Sequence, residues 1–104
     1  MNEIQLAVEM VFVADRPATA DQFEAFLDEV VVQLNHIGRE VNLAARLGDL
    51  AAEFAIAVPA TDFPSAAADF LGDLRTALHA VGCGTADWPR FAAGGYLVRD
   101  LQDA

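Results

Sequence analysis

Val41-Asn42-Leu43-Ala44-Ala45-Arg46-Leu47-Gly48-Asp49-Leu50-Ala51-Ala52-Glu53-Phe54-Ala55-Ile56 is the stretch on which the fold turns. Gly48-Asp49 reads as a two-residue hairpin loop with Gly first, the chemistry of a type II′ turn. Folding the chain about that dipeptide sets Leu43 opposite Phe54, Val41 opposite Ile56 and Ala45 opposite Ala52 on one face. Ala44 then opposes Glu53, and Asn42 opposes Ala55, on the other. Both strands turn their large apolar residues to the same side in a single register. A slip of one residue would send every side chain to the wrong face, so the pairing is strongly specified.

Outward from the hairpin, Ile4, Leu6, Val8, Met10 and Phe12 alternate with Gln5, Ala7, Glu9, Val11 and Val13. That period of two predicts a strand over 4–14, covered on one side, and Asp15-Arg16-Pro17 breaks it. Thr19 with Gln22 has the spacing of a capping box. Phe23, Phe26, Leu27, Val30, Leu34 and Ile37 then recur at helical spacing until Gly38, predicting a helix over 20–37. After Pro59, Asp62 is placed to cap a second helix with Pro64 in its first turn. Its expected buried stripe is Phe63, Ala67, Leu71, Leu74, Leu78 and Val81, and Gly82 ends it. Gly72 inside that helix costs about 1 kcal/mol relative to Ala unless it marks close packing. Residues 83–94 read as an irregular loop and 95–101 as a closing strand.

The order is β-α-β-β-α-β. The two halves also align when slid past each other, with Phe26 on Phe70, Leu27 on Leu71, Val30 on Leu74, Leu34 on Leu78 and Gly38 on Gly82. This pattern resembles the ferredoxin-like superfold, a split βαβ arrangement. The resemblance spans nearly the whole chain and implies an α+β sandwich, a single domain over 1–104. It implies a four-stranded antiparallel sheet of order 4-1-3-2 with two helices on one face. It implies no particular activity, because the superfold hosts many.

Composition narrows the field. The 104 residues include six Arg, no Lys and sixteen Asp and Glu, for a net charge of −10. Binding to nucleic-acid backbones depends on Lys and Arg displacing counterions, and a polybasic membrane anchor needs the same residues, so both roles are disfavoured. With 55% hydrophobic and 21% charged residues the chain has the make-up of a packed globule. The one cysteine, Cys83, forms no intrachain disulfide. The first residues lack the basic-then-apolar order of a signal peptide, and no apolar run approaches the ~18 residues of a membrane span; the expectation is a cytoplasmic protein with no membrane contact. Twenty-one Ala beside zero Lys suggest a GC-rich genome. Gly84-Thr85-Ala86-Asp87-Trp88-Pro89 is similar to stretches in small domains of high-GC bacteria and their phages, which implies a bacterial or phage source and no activity.

With both helices on one side of the sheet, the other side must meet water, a ligand or another subunit. The residues expected there include Gln5, Ala7, Glu9, Val11 and Val13 from the first strand and Glu40, Asn42, Ala44 and Arg46 from the second. Ala51, Glu53, Ala55 and Ala57 come from the third strand, and Leu97, Arg99 and Leu101 from the fourth. This smooth, sparsely charged face reads either as a surface of small residues or as a contact face. It lacks the exposed aromatics and basic surround on which RNA-recognition domains stack bases. The loop Asp15-Arg16-Pro17-Ala18 lacks both the Cys-x-x-Cys of heavy-metal carriers and the glycine-rich cradle of acylphosphatase-like enzymes.

Other candidate residues are few. His36 and His79 fall in the last turns of the two helices, where an imidazolium complements the helix dipole; on separate helices they make a weak metal pair. Cys83 follows a helix C-terminus, whose partial negative charge disfavours a thiolate. Gly82, Gly84, Gly94 and Gly95 suit tight turns. Glu9, Glu53 and Arg99 are positioned for an ion-pair cluster. Trp88, Arg90 and Phe91 form the most distinctive loop, read either as a cap on the core or as an interaction loop of hot-spot residue types. No catalytic, cofactor or metal site is expected. The leading expectation is a non-enzymatic acidic interaction or assembly module that forms a homodimer, or engages another protein, through its apolar sheet face or an edge strand. The alternatives are a regulatory small-ligand domain resembling the amino-acid-binding members of the superfold, an acidic decoy mimicking nucleic acid, and an enzyme with a small pocket.

Overall fold

A computed structural model of the chain describes residues 2–81 and 91–101. Strand β1 runs Asn2–Ala14, and its alternation is realised as burial: Ile4, Leu6, Val8, Met10 and Phe12 are all in the core. Helix α1 spans Ala20–His36. Its capping box is closed, with the Gln22 amide donating to Thr19 Oγ1 at 3.1 Å and the Thr19 amide donating to Gln22 Oε1 at 2.9 Å. At the other end Gly38 adopts φ +83°, which lets the Arg39 amide reach back to the Leu34 carbonyl at 2.8 Å. Such a left-handed residue after a helix favours glycine. Ile37, expected on the buried stripe, instead becomes the C-cap and is exposed.

Strands β2 (Asn42–Arg46) and β3 (Ala51–Ala60) pair in the expected register, from Asn42 opposite Ala55 to Arg46 opposite Ala51. Val41, expected opposite Ile56, lies just before β2 and packs half-buried against the core. The turn departs from expectation. Leu47–Asp49 form one 3-10 turn and Leu50 takes the left-handed conformation at φ 52°, while Gly48 has no positive φ. The loop therefore has four residues rather than the two of a type II′ turn. Its physical reason is packing, since Leu47 and Leu50 both lean on the core and the Leu50 carbonyl accepts the Phe12 amide at 2.8 Å. A loop of two or four residues centred on the same bond leaves the register unchanged.

Helix α2 spans Phe63–Val81. The Ser65 amide donates to Asp62 Oδ1 at 2.9 Å and the Ala66 amide to the Asp62 carbonyl at 3.1 Å, so Asp62 is the cap. The Ser65 backbone N–H, followed by its side chain, holds the Asp62 carboxyl below its ordinary range. A depressed carboxyl stabilises the fold above its unfolded-state pKa, and that contribution is lost as pH falls through the lowered folded value. The buried stripe is Ala66, Phe70, Leu74 and Ala77, whereas Phe63, Leu71, Leu78 and Val81 lie along its flank, half-buried. Relative to expectation the helix is rotated so that two alanines meet the core. The Arg39 guanidinium bonds Asp73 of α2 at 2.6 Å, fastening the end of α1 to α2.

Strand β4 spans Phe91–Asp100, starting four residues earlier than expected and ending one earlier. Leu101 still donates to the Gln5 carbonyl at 2.9 Å. Gly94-Gly95 form a bulge rather than a turn: Val11 faces Gly95 and Phe12 faces Ala93, so Gly94 is the extra residue. A Cβ on Gly94 would approach Val13 Cγ2 to 3.1 Å. All four strands are antiparallel, in the order β2-β3-β1-β4, which from the opposite edge reads β4-β1-β3-β2. The core lies between the even-numbered face of β1 and the two helices. Phe91 closes it, its ring centroid 4.9 Å from Phe26 and 5.3 Å from Phe23, with Phe12 edge-on to both helix rings.

Two glycine substitutions test these assignments in opposite directions. A Cβ at exposed Gly72 meets nothing within 4 Å, so no close packing requires glycine there. Gly72→Ala is expected to add about 1 kcal/mol of stability, raising Tm by roughly 4–8 °C for a domain of this size. Gly38→Ala forces a Cβ into left-handed backbone and is expected to lose about 1 kcal/mol. Paired denaturant titrations check both.

Candidate interaction face

The odd-numbered residues of β1 and their neighbours form the sheet face that the helices leave bare. Val11, Val13 and Leu97 are 51%, 59% and 58% exposed, and Leu101 is 40% exposed. Ala44 is exposed at the β2 edge; Ala55 and Ala57 are half-buried. Ala7 and Ala51, expected on this face, are buried and add almost no surface to it. Both stand apart from the core cluster on the helix side.

Glu9 and Glu53 stand directly opposite each other on β1 and β3. Like charges in that position repel. Arg99, on β4 beside Ala7, compensates both: Nε lies 3.3 Å from Glu9 Oε1, and Nη2 bonds Glu53 Oε2. Adjacent strands are about 4.8 Å apart, so the guanidinium has crossed the width of β1 to reach β3. Ala7 explains how, because a methyl group at its position leaves that crossing open. The expected ion-pair cluster is thus present, with a third strand tied into it. The role of Ala7 was hidden in sequence, where an alanine on a strand carries no signal of what passes over it.

The remaining candidates do not converge. His36 and His79 are exposed on different helices, and among the described residues no three His, Cys, Asp or Glu gather as a metal site. Phe91 belongs to β4 and the aromatic cluster rather than to a loop. Trp88, Arg90, Cys83, Gly82 and Gly84 lie outside the described residues. No described helix is long and apolar enough to cross a membrane. Comparisons with protein families, with curated proteins and with solved structures found no match to this chain.

Removing the bridging cation should expose the repulsion beneath it. Arg99→Met is expected to cost up to about 1 kcal/mol at low salt, the range of partly exposed ion pairs, and less at high salt because screening weakens the repulsion. In a Glu53→Gln background the same substitution should cost less. A double-mutant cycle by urea titration at two ionic strengths measures the difference; equal losses in both backgrounds would contradict the cluster.

Proposed function

We propose that the chain is a non-enzymatic interaction module with a ferredoxin-like split βαβ layout, and that it acts as a homodimer joined through the open sheet face. The observation that carries this reading is the exposure of Val11, Val13, Leu97 and Leu101 on one face whose central charges are already paired with each other. Exposed large apolar side chains gathered on one face often mark a contact. A second copy is the occupant that the charge favours. Two chains of net charge −10 repel each other, and on this face Arg99 already offsets part of the charge of Glu9 and Glu53.

Size favours the same occupant. Four strands spaced about 4.8 Å apart, with about ten residues along each long strand, make a face on the order of 600 Å² in projection. Side-chain relief brings that towards the ~800 Å² per partner typical of stable interfaces. A twofold stack of the same patch on itself is the simplest closed arrangement.

A second reading draws on the same surface. A shallow depression of about 420 Å³, lined by Glu9, Val11, Ala44, Glu53, Gly95 and Leu97, lies on this face. With Arg46 in the same lining as the two carboxylates, it offers both charges that an amino acid would need. A regulatory amino-acid-binding domain would use it at the subunit interface.

Sedimentation velocity between about 10 and 500 μM, concentrations spanning ordinary dimer affinities, tests the main reading. A dimer that weakens to monomer in Val11→Glu/Leu97→Glu, and tightens with added salt as the net repulsion is screened, is expected. A monomer at every concentration would contradict it. Under the second reading, an amino acid would raise Tm in the wild type and not in Arg46→Met.

A further inference from the structure

Between α2 and the edge strand β4, on the helix side of the sheet, runs a groove of about 520 Å³ separate from the open face. Its apolar walls include Leu71, Leu78 and Phe91, all half-buried against the core. Arg75, His79 and Tyr96 join the same lining. On α2 the spacing explains this grouping: residues 71, 75, 78 and 79 are separated by four, three and one positions, which places them on one face of a helix. Tyr96 reaches the groove from β4 and is 60% exposed.

Arg75 differs from the other described arginines. Arg16, Arg39, Arg46 and Arg99 all have carboxylates within ion-pair distance, while Arg75 has none among the described residues. In a chain with sixteen acidic residues, a guanidinium at the rim of an apolar groove with no described carboxylate beside it suits an external anion. Three kinds of N–H or O–H donor meet there: a guanidinium, an imidazole and a phenol. Guanidinium binds planar carboxylates in a two-point fork, and the apolar walls suit a hydrocarbon body. The volume falls within the range of small-molecule sites. At physiological salt, screening over about 8 Å mutes the repulsion from acidic groups elsewhere on the surface.

We propose that the α2–β4 groove is a binding site for a small organic carboxylate with an apolar body, its carboxylate held by Arg75 with His79 and Tyr96 as further donors and its body against Leu71, Leu78 and Phe91. This site is independent of the open face, and the protein uses it whether one copy or two is present.

Isothermal titration with 3-phenylpropionate, compared with the uncharged 3-phenylpropionamide, tests the proposal on the full chain. Saturable binding of the acid is expected, about tenfold tighter than the amide and about tenfold weaker in Arg75→Gln, the effect of losing one charged hydrogen-bonding partner. Arg75 is exposed, so the variant should fold, and its unchanged Tm without ligand verifies that. Amide-resonance shifts on binding should fall on Leu78, Ala92 and Ala93, which line this groove. No saturable binding by the wild type, equal affinity for acid and amide, or unchanged affinity in Arg75→Gln would each overturn the site. Shifts centred on Val11 and Ala44 would overturn it too, by moving the ligand to the open face.

Discussion

The alternation of side chains along β1 is the constraint on which the rest of the structure depends. This strand is paired on both sides, with β3 and β4, so its backbone hydrogen bonds are consumed by the sheet and its side chains alone decide what each face can do. Ile4, Leu6, Val8, Met10 and Phe12 supply one full row of the core. The intervening row supplies the small, apolar and acidic side chains of the open face. A one-residue shift would exchange the two rows and leave both helices without a partner surface. The same alternation places Glu9 against Glu53, which in turn makes Arg99 the residue that holds the open face together.

Much of the fold was legible because its strongest signals are local. Thr19 and Gln22 announce the start of α1, Gly38 its end and Asp62 the start of α2, each through hydrogen bonds or backbone conformations made within a few residues. The hairpin register was legible for a different reason: its centre of symmetry is the same for a two-residue and a four-residue loop. The loop length was not legible, since it depends on Leu47 and Leu50 finding the core, a tertiary event. In α2 the pattern pointed to the larger Leu71 and Leu78, but full burial goes to Ala66, Phe70, Leu74 and Ala77, a stripe rotated around the helix. Gly94-Gly95 resembled a turn because turns and bulges use glycine for related backbone reasons. The Arg39–Asp73 pair joins residues remote in sequence, and no local pattern announces it.

The candidate site divides along similar lines. The open face and the Glu9–Glu53–Arg99 cluster follow from strand alternation plus the order of strands, so they could be read in advance. That Ala7 and Ala51 are buried could not, because the exposure of a small residue is set by its neighbours in space rather than by its own type. The groove between α2 and β4 was legible only as a helical spacing of Leu71, Arg75, Leu78 and His79; its other wall is the early part of β4, a segment whose glycines disguised it as loop. The net charge of −10 matters less as a clue to partners than as a background. Against it, the two uncommon places are a face whose two central carboxylates share one guanidinium and a groove with an arginine that no described carboxylate neutralises.

Whether the open face is covered when two chains meet decides what this fold does. Methyl NMR spectra recorded as the protein is diluted from about 500 to 10 μM, across the range of ordinary dimer affinities, address this directly. The prediction is that concentration-dependent shifts concentrate on Val11, Val13, Leu97 and Leu101, while the core methyls of Leu27, Val30 and Leu74 stay fixed. Shifts confined to exposed helix residues such as Val32, or spectra that do not change with concentration, would contradict it.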